Sequence, residues 1–199
     1  MGTSSVHLGV TVERISNGMF TAVNSRGGGP TTAHPFVAEQ LEWGEAEGVT
    51  AFLIRAAVPG DMAALNDVFR SSSLSNDGDR SYLLAHPDVL ELSDLAVTEG
   101  RTRAAVADDA IVGFATWLSA GDAIEIEDLF VDPPWMRQGI GRALVLDLIA
   151  DARARGIRRV DVTANQHALA FYEKLSFVVD HEVETMFRPA PRMQLDVTL

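Results

Sequence analysis

Phe130-Val131-Asp132-Pro133-Pro134-Trp135-Met136-Arg137-Gln138-Gly139-Ile140-Gly141-Arg142-Ala143-Leu144 decides the fold of this 199-residue chain. An apolar strand ends in a proline-marked turn, and a short glycine-bearing loop opens directly into a helix. Such a loop aims several backbone N–H groups at one point, at the positive end of the helix dipole. It binds phosphate without needing a basic side chain. Gly139 and Gly141 let the backbone approach the anion closely. Two common phosphate loops fail at named positions. A dinucleotide fingerprint needs a third glycine where Leu144 stands. A nucleotide-triphosphate loop needs Gly-Lys-Ser/Thr, and the only lysine in the chain is Lys174.

The rest of the composition narrows the ligand and its partners. Hydrophobic residues make up 47%, enough for one domain with a real core plus a small appendage. No apolar run approaches the roughly 20 residues that span a bilayer, and no basic region followed by an apolar stretch opens the chain. The expectation is a cytoplasmic protein without a membrane partner. The absence of cysteine removes disulfides, thiolate metal sites and cysteine nucleophiles together, and no metal is expected. A net charge of −12 opposes nucleic-acid binding and suits cationic partners such as amines. It equally serves solubility.

Working outward, residues 6–15 alternate apolar and polar, Ser16-Asn17-Gly18 is turn chemistry, and residues 19–24 return, which reads as a β-hairpin. Residues 26–30 are glycine-rich, and residues 36–43 read as a short helix ended by Gly44. The texture changes near residue 51. Residues 52–56 read as a strand. Pro59-Gly60-Asp61 reads as a turn with Asp61 as N-cap, before a helix with Met62, Leu65, Val68 and Phe69 on one face. Residues 71–80 read as polar and mobile, and residues 81–92 as a helix interrupted at Pro87. Asp108-Asp109 marks a hairpin between strands 102–107 and 111–118, followed by strand 123–131. The helix after the loop carries Leu144, Leu148, Ile149 and Ala152 on one stripe and is closed by Gly156. Strand 159–163, helix 165–175 and strands 177–187 and 193–197 complete the chain.

This order resembles the GNAT superfamily of N-acetyltransferases. Three segments carry the likeness across residues 51–199. Leu53-Ile54-Arg55-Ala56-Ala57 with Gly60-Asp61 is similar to the family's opening strand and helix. Residues 128–144 are similar to its acetyl-CoA motif. Asn165-Gln166-His167-Ala168-Leu169-Ala170-Phe171-Tyr172-Glu173-Lys174-Leu175-Ser176-Phe177 is similar to its second cofactor motif. Met136 stands where the family usually has Gln or Arg, and Ser176 where it usually has Gly. Residues 10–28 more weakly resemble the opening of OsmC-like peroxide reductases, whose paired-cysteine chemistry this chain cannot perform. Residues 1–50 are therefore read as an accessory segment, and residues 51–199 as the acetyltransferase domain.

The resemblance implies an α/β chain of the α+β type, with a mixed, mostly antiparallel sheet flanked by helices. It implies direct transfer of an acetyl group from acetyl-CoA to a primary amine, a small molecule being favoured over a protein N-terminus or lysine. A non-catalytic acyl-CoA binding or sensing module is the alternative of another class. A second copy of the chain is a candidate partner through the hairpin edge. For the cofactor, backbone amides of Gln138, Gly139, Ile140, Gly141 and Arg142 are expected at the pyrophosphate, with side-chain donors from Arg137, Gln138 and Arg142. A backbone N–H near Phe130 or Val131 is expected at the oxyanion. By resemblance Asn165 contacts the pantetheine arm, though capping a helix explains it equally.

By the same resemblance Tyr172 is the general acid. Reference pKa values of about 10 for Tyr and about 8.5 for a thiol make proton transfer to the thiolate only about 2 kcal/mol uphill. Phe171 is the better core candidate of the two rings. Glu125 and Glu127 share a strand face about 7 Å apart and are candidates for the base, since close like charges raise each other's pKa. A bulge in this strand would bring Glu127 or Asp128 to that place instead. Solvated strand carboxylates that only attract a cation are the plain alternative.

Overall fold

The computed structural model describes residues 11–15, 19–23, 51–75, 77–185 and 189–198. The helix expected at residues 36–43 and the glycine-rich stretch 26–30 lie outside the described residues. The hairpin is present: β1 (Thr11–Ile15) pairs antiparallel with β2 (Met19–Val23), from Thr11 opposite Val23 to Ile15 opposite Met19.

The main sheet has seven strands. These are β3 (Leu53–Ala56), β4 (Thr102–Ala107), β5 (Ala110–Ala120), β6 (Ala123–Val131), β7 (Arg159–Thr163), β8 (Val178–Val183) and β9 (Ala190–Asp196). Their spatial order is β3-β4-β5-β6-β7-β9-β8. Only β6 and β7 run parallel; every other neighbouring pair is antiparallel. The parallel step is forced by the helix between them, α4 (Ile140–Ala154), which returns the chain to the same end of the sheet. The expected mixed, mostly antiparallel sheet is what forms.

Helices cover both faces. On one face α4 and α5 (Leu169–Glu173) pack Leu144, Leu148, Ile149 and Tyr172 onto Ile124, Ile126, Val160 and Val162. On the other, α1 (Met62–Leu74) packs Leu65, Val68 and Phe69 onto Ala104, Phe114 and Phe130. Phe130 meets Phe69 edge-on, ring centroids 4.9 Å apart. Period-two alternation along β6 divides these residues between the two layers.

Several boundaries differ from the sequence reading. The polar stretch read over residues 71–80 contains helix: α1 continues to Leu74, with Ser72 and Ser73 buried, and α2 spans Asp77–Ala85. Serine's weak helix propensity is overridden by packing. Helix 81–92 proves to be α2 and then a separate 3-10 turn, Pro87–Leu90, because proline cannot donate to the preceding turn. A short α3 (Leu95–Thr98) was not legible at all. Asp61 does not cap α1 with its side chain. It accepts the Val58 N–H at 2.8 Å and pairs with Arg55 at 2.6 Å. The Arg55 hydrogen bond holds its carboxyl below the usual carboxylate range against a smaller opposing effect of burial. The last two strands end differently: β8 stops at Val183 and β9 begins at Ala190.

Candidate acetyl-CoA and amine site

β6 carries the site. Its parallel pairing with β7 runs from Ala123 opposite Arg159 to Ile126 opposite Val162 and stops there, while β6 continues to Val131. From Glu127 onward β6 therefore has a sheet edge that β7 does not cover. On its other side β6 stays paired with β5, Thr116 opposite Asp128 and Gly113 opposite Val131. The Asp132 N–H donates to the Val112 carbonyl at 2.9 Å. Strand alternation then turns the N–H of Phe130 toward β5 and those of Leu129 and Val131 toward the open edge. Of the two candidate oxyanion donors, Val131 has the required direction. Phe130 contributes its ring to the α1 core.

The register also slips between β5 and β6. Thr116 faces Asp128 while Trp117 faces Ile126, so Glu127 is an extra, bulged residue. This is the bulge anticipated from the resemblance. It puts Glu127 and Asp128 on the α1 side of the sheet together with Glu125, because Ile124, Ile126 and Leu129 fill the opposite core.

Beyond β6 the chain makes one 3-10 turn, Pro133–Trp135, anchored by a 2.5 Å hydrogen bond from Ser71 Oγ in α1 to Asp132 Oδ1. Arg137 and Gly139 both adopt left-handed backbone, with φ of +64° and +88°. Gly139 is required for its dihedral, since a Cβ there would meet nothing within 4 Å. The first ladder bond of α4 runs from the Ala143 N–H to the Gly139 carbonyl at 2.9 Å. The N–H groups of Ile140, Gly141 and Arg142 precede it at the positive helix end. Arg137 and Arg142 are exposed and make no side-chain hydrogen bond or ion pair among the described residues. Gln138 behaves otherwise: its Nε2 donates to the Pro134 carbonyl at 2.9 Å. These donors fit a pyrophosphate.

The second motif lies beside the loop. Gly141 sits under Phe171, where an added Cβ would stand 3.7 Å from the ring. Tyr172 is fully buried, edge-on to Phe171 and Phe177 at 5.0 and 5.4 Å. The expectation that Phe171 would be the core ring is reversed: Phe171 is only partly buried. The α5 stripe points Tyr172 inward, and its neighbour follows the helix turn outward. Asn165 Oδ1 accepts the Ala168 N–H at 2.8 Å, so capping the turn before α5 is a role it does perform.

The carboxylates are not bare. Both oxygens of Glu125 accept from Arg192 of β9, one of them at 3.0 Å. Glu127 pairs with Arg101 at 3.2 Å. Arg192 arrives from β9 and Arg101 from the residue just before β4, so the mutual repulsion expected of two isolated neighbouring carboxylates is offset. Arg192 also donates to Thr163 Oγ1 at 3.0 Å and lies 3.5 Å from Asp161. Burial works to lower its pKa, but bonding and charge from Glu125 and Asp161 outweigh this and hold the guanidinium above its ordinary value. Asp128 is 6% exposed, and its Oδ2 accepts the Thr116 hydroxyl at 2.7 Å. Sequence reasoning missed Arg101, Arg192, Thr116, Asp161 and Thr163. Only the strand register joins them, and no local pattern signals it.

A strand–loop–helix anion site beside a splayed parallel strand pair is the architecture of an acyl-CoA-binding transferase fold. The Acetyltransferase (GNAT) family profile matches residues 62–177, and the chain belongs to that family. It is 29% identical over 135 residues to serotonin N-acetyltransferase 2, chloroplastic, of Oryza sativa subsp. japonica, across 65% of this chain and 62% of that protein. It is 42% identical over 52 residues to glucosamine 6-phosphate N-acetyltransferase of Trypanosoma brucei brucei, across 26% of this chain and 35% of that protein. The chain thus spans less than two thirds of the length of these curated relatives. Among solved structures it is similar to PaiA N-acetyltransferase from Thermoplasma acidophilum in complex with coenzyme A. The TM-score is 0.63 at 18% identity, over 73% of this chain and 98% of that one. The ribosomal-protein-S18-alanine N-acetyltransferase of Escherichia coli gives 0.57 at 21% identity, over 74% and 95%. At these identities the structural likeness concerns the fold.

Proposed function

We propose that the protein transfers an acetyl group from acetyl-CoA to a primary amine, with a small cationic amine as the favoured acceptor. The observation that carries this reading is the open edge of β6 running into the left-handed Gly139 and the unladdered N–H groups of α4. Bound there, acetyl-CoA supplies a thioester carbonyl open to attack by an amine. The loop residues 138–142 hold phosphate, helped by Arg137 and Arg142. The Val131 N–H is directed where it stabilises negative charge on the carbonyl oxygen. Tyr172 donates a proton to the departing sulfur. The β6 carboxylates Glu125, Glu127 and Asp128 attract the ammonium, with Glu125 or Glu127 accepting its proton. A neutral nucleophile is needed because an alkylammonium, with pKa about 10.4, has no lone pair to offer. Among the described residues no helix is long and apolar enough to cross a membrane. The cysteine-free composition supports a cytoplasmic setting.

The test is a panel of amines incubated with acetyl-CoA while free thiol is followed. Amine-dependent thiol release that saturates in the amine supports the reading. Tight CoA binding with no release from any amine, peptide N-termini and lysine peptides included, assigns the chain to acyl-CoA binding without catalysis.

A further inference from the structure

Gly113 lies inside β5, opposite Ala105 of β4 and Val131 of β6. Its backbone is not left-handed, so no dihedral calls for glycine there. Glycine in a strand interior weakens the strand, and close approach of another backbone or a ligand is a usual reason for it. Here the approach is measurable. A Cβ on Gly113 would stand 3.0 Å from the Phe130 carbonyl oxygen, 3.1 Å from Ile140 Cγ2 and 3.4 Å from Val131 Cγ2. At the two shorter distances the neighbours have to give by a few tenths of an ångström. Other glycines differ. A Cβ on Gly60, Gly100, Gly121, Gly139 or Gly156 would meet nothing within 4 Å, and one on Gly141 only ordinary contacts from 3.7 Å.

The two groups crowded most belong to the two anion donors of the site. The Phe130 carbonyl and the Val131 N–H are the two ends of one planar peptide unit. The carbonyl points toward β5, so the N–H points to the open edge of β6. Ile140 is the first residue of α4, and its N–H is among those ahead of the first ladder bond. The Asp132 N–H, bonded to the Val112 carbonyl at 2.9 Å, keeps β6 close against β5 beside this point. We infer that Gly113 is a positioning residue: its missing side chain sets where the Val131 N–H meets the thioester oxygen and where the Ile140 N–H meets phosphate. This role rests on the acetyltransferase reading above. Negative charge gathers on the thioester carbonyl oxygen as the amine adds, and a donor has to lie about 3 Å from it to stabilise that charge. A peptide unit pushed from behind by a Cβ loses this alignment. A first turn of α4 pushed outward loses its reach to phosphate. One residue that touches neither ligand group therefore governs both anion sites.

Free thiol followed at saturating acetyl-CoA and amine gives kcat, and titration calorimetry with CoA gives affinity without turnover. Loss of a whole oxyanion donor costs about 10²–10³ in kcat, so one displaced by a few tenths of an ångström is expected to cost roughly tenfold. Gly113→Ala should therefore lower kcat roughly tenfold and weaken CoA by a smaller factor, because Ile140 is one of several phosphate donors. Ile140→Ala removes Cγ2 but leaves the Phe130 carbonyl in place. Adding Gly113→Ala to Ile140→Ala should leave CoA affinity where Ile140→Ala alone sets it and still lower kcat roughly tenfold. A glycine that serves packing alone gives a lower urea midpoint with wild-type kcat and CoA affinity in the folded variant, and that result overturns the inference. A raised KM for acetyl-CoA with wild-type kcat also overturns it, since the oxyanion donor has then not moved. If Gly113→Ala does not fold, the pair in the Ile140→Ala background decides, where room has been freed. Failure of that chain to fold as well makes Gly113 a residue of the sheet only and overturns the inference. A wild type that binds CoA and acetylates no amine overturns the acetyltransferase reading, an outcome distinct from an active enzyme indifferent to Gly113→Ala.

Discussion

Ser176 shows how one side chain can be judged against its backbone. It holds φ of +68°, a left-handed conformation that costs a non-glycine residue about 1–2 kcal/mol. The bonds around it close the end of α5. The Phe177 N–H reaches the Tyr172 carbonyl at 3.1 Å and the Ser176 N–H reaches Glu173 at 2.9 Å. Gly100 and Gly156 end α3 and α4 with the same bond pattern. Ser176→Gly is therefore expected to stabilise the fold by up to about 1 kcal/mol, the gain being limited by glycine's greater unfolded freedom. A urea midpoint that rises at constant m-value checks this. Tyr172 asks a different question of the same turn, since a buried ring explains its packing and an acid explains its hydroxyl. Tyr172→Phe should keep the fold and CoA affinity and lose turnover by roughly 10²–10⁴-fold. Near-normal kcat at neutral pH would leave it a core residue only. At this scale the sequence was informative where chemistry is local. Gly156 and the Asp108-Asp109 turn, φ +48° and +60°, are where their residue types placed them. The partners of Glu125 and Glu127 were not legible, because Arg192 and Arg101 are brought near only by strand pairing.

At the scale of elements, β6 and α4 act as one device, and each end of it is set by a different force. Apolar alternation from Ile124 to Val131 fixes which residues face α4 and which face α1. Loss of the β7 partner after Ile126 leaves backbone groups unpaired by the sheet. The proline turn, held to α1 through Ser71 and Asp132, then aims the first turn of α4. That strand, loop and helix were all readable from the quoted stretch, because glycine and proline restrict φ directly. Strands β8 and β9 and the short α3 were placed poorly: β9 begins at Ala190 and runs through Pro191, a residue type that ordinarily marks the outside of a strand, and packing chose the boundary. The loop predicts a clean separation of fold and binding. Gly139→Ala should cost about 1–2 kcal/mol, from its dihedral alone. Gly139→Asp carries that cost and also sets a negative charge beside the phosphates. Calorimetry should show CoA affinity falling far more for Asp than for Ala. Equal affinities, or unchanged binding by folded Gly139→Asp, would move the phosphate site elsewhere.

For the whole molecule, the question is which part of the chain the site requires. The seven-stranded sheet, both helical layers and every residue argued to bind or react lie between residues 51 and 198. The family profile begins inside that span, at residue 62. Among the residues whose side chains are described, the members of both core clusters run from Phe52 to Val197. The hairpin β1–β2 forms its own two-stranded sheet, with no strand shared with the larger one. A domain of this size carries its own hydrophobic core, although β1 also approaches β6. We therefore expect a chain beginning at Thr50 to fold cooperatively and to bind CoA with the affinity of the full-length protein. Circular dichroism melts and calorimetry on the two chains would show it. Assembly is read separately, by light scattering: a change in oligomeric state with unchanged CoA affinity would assign residues 1–50 to association. An insoluble short chain, or one that melts before CoA can bind, would instead make the segment part of the fold, and the boundary near residue 50 would be wrong.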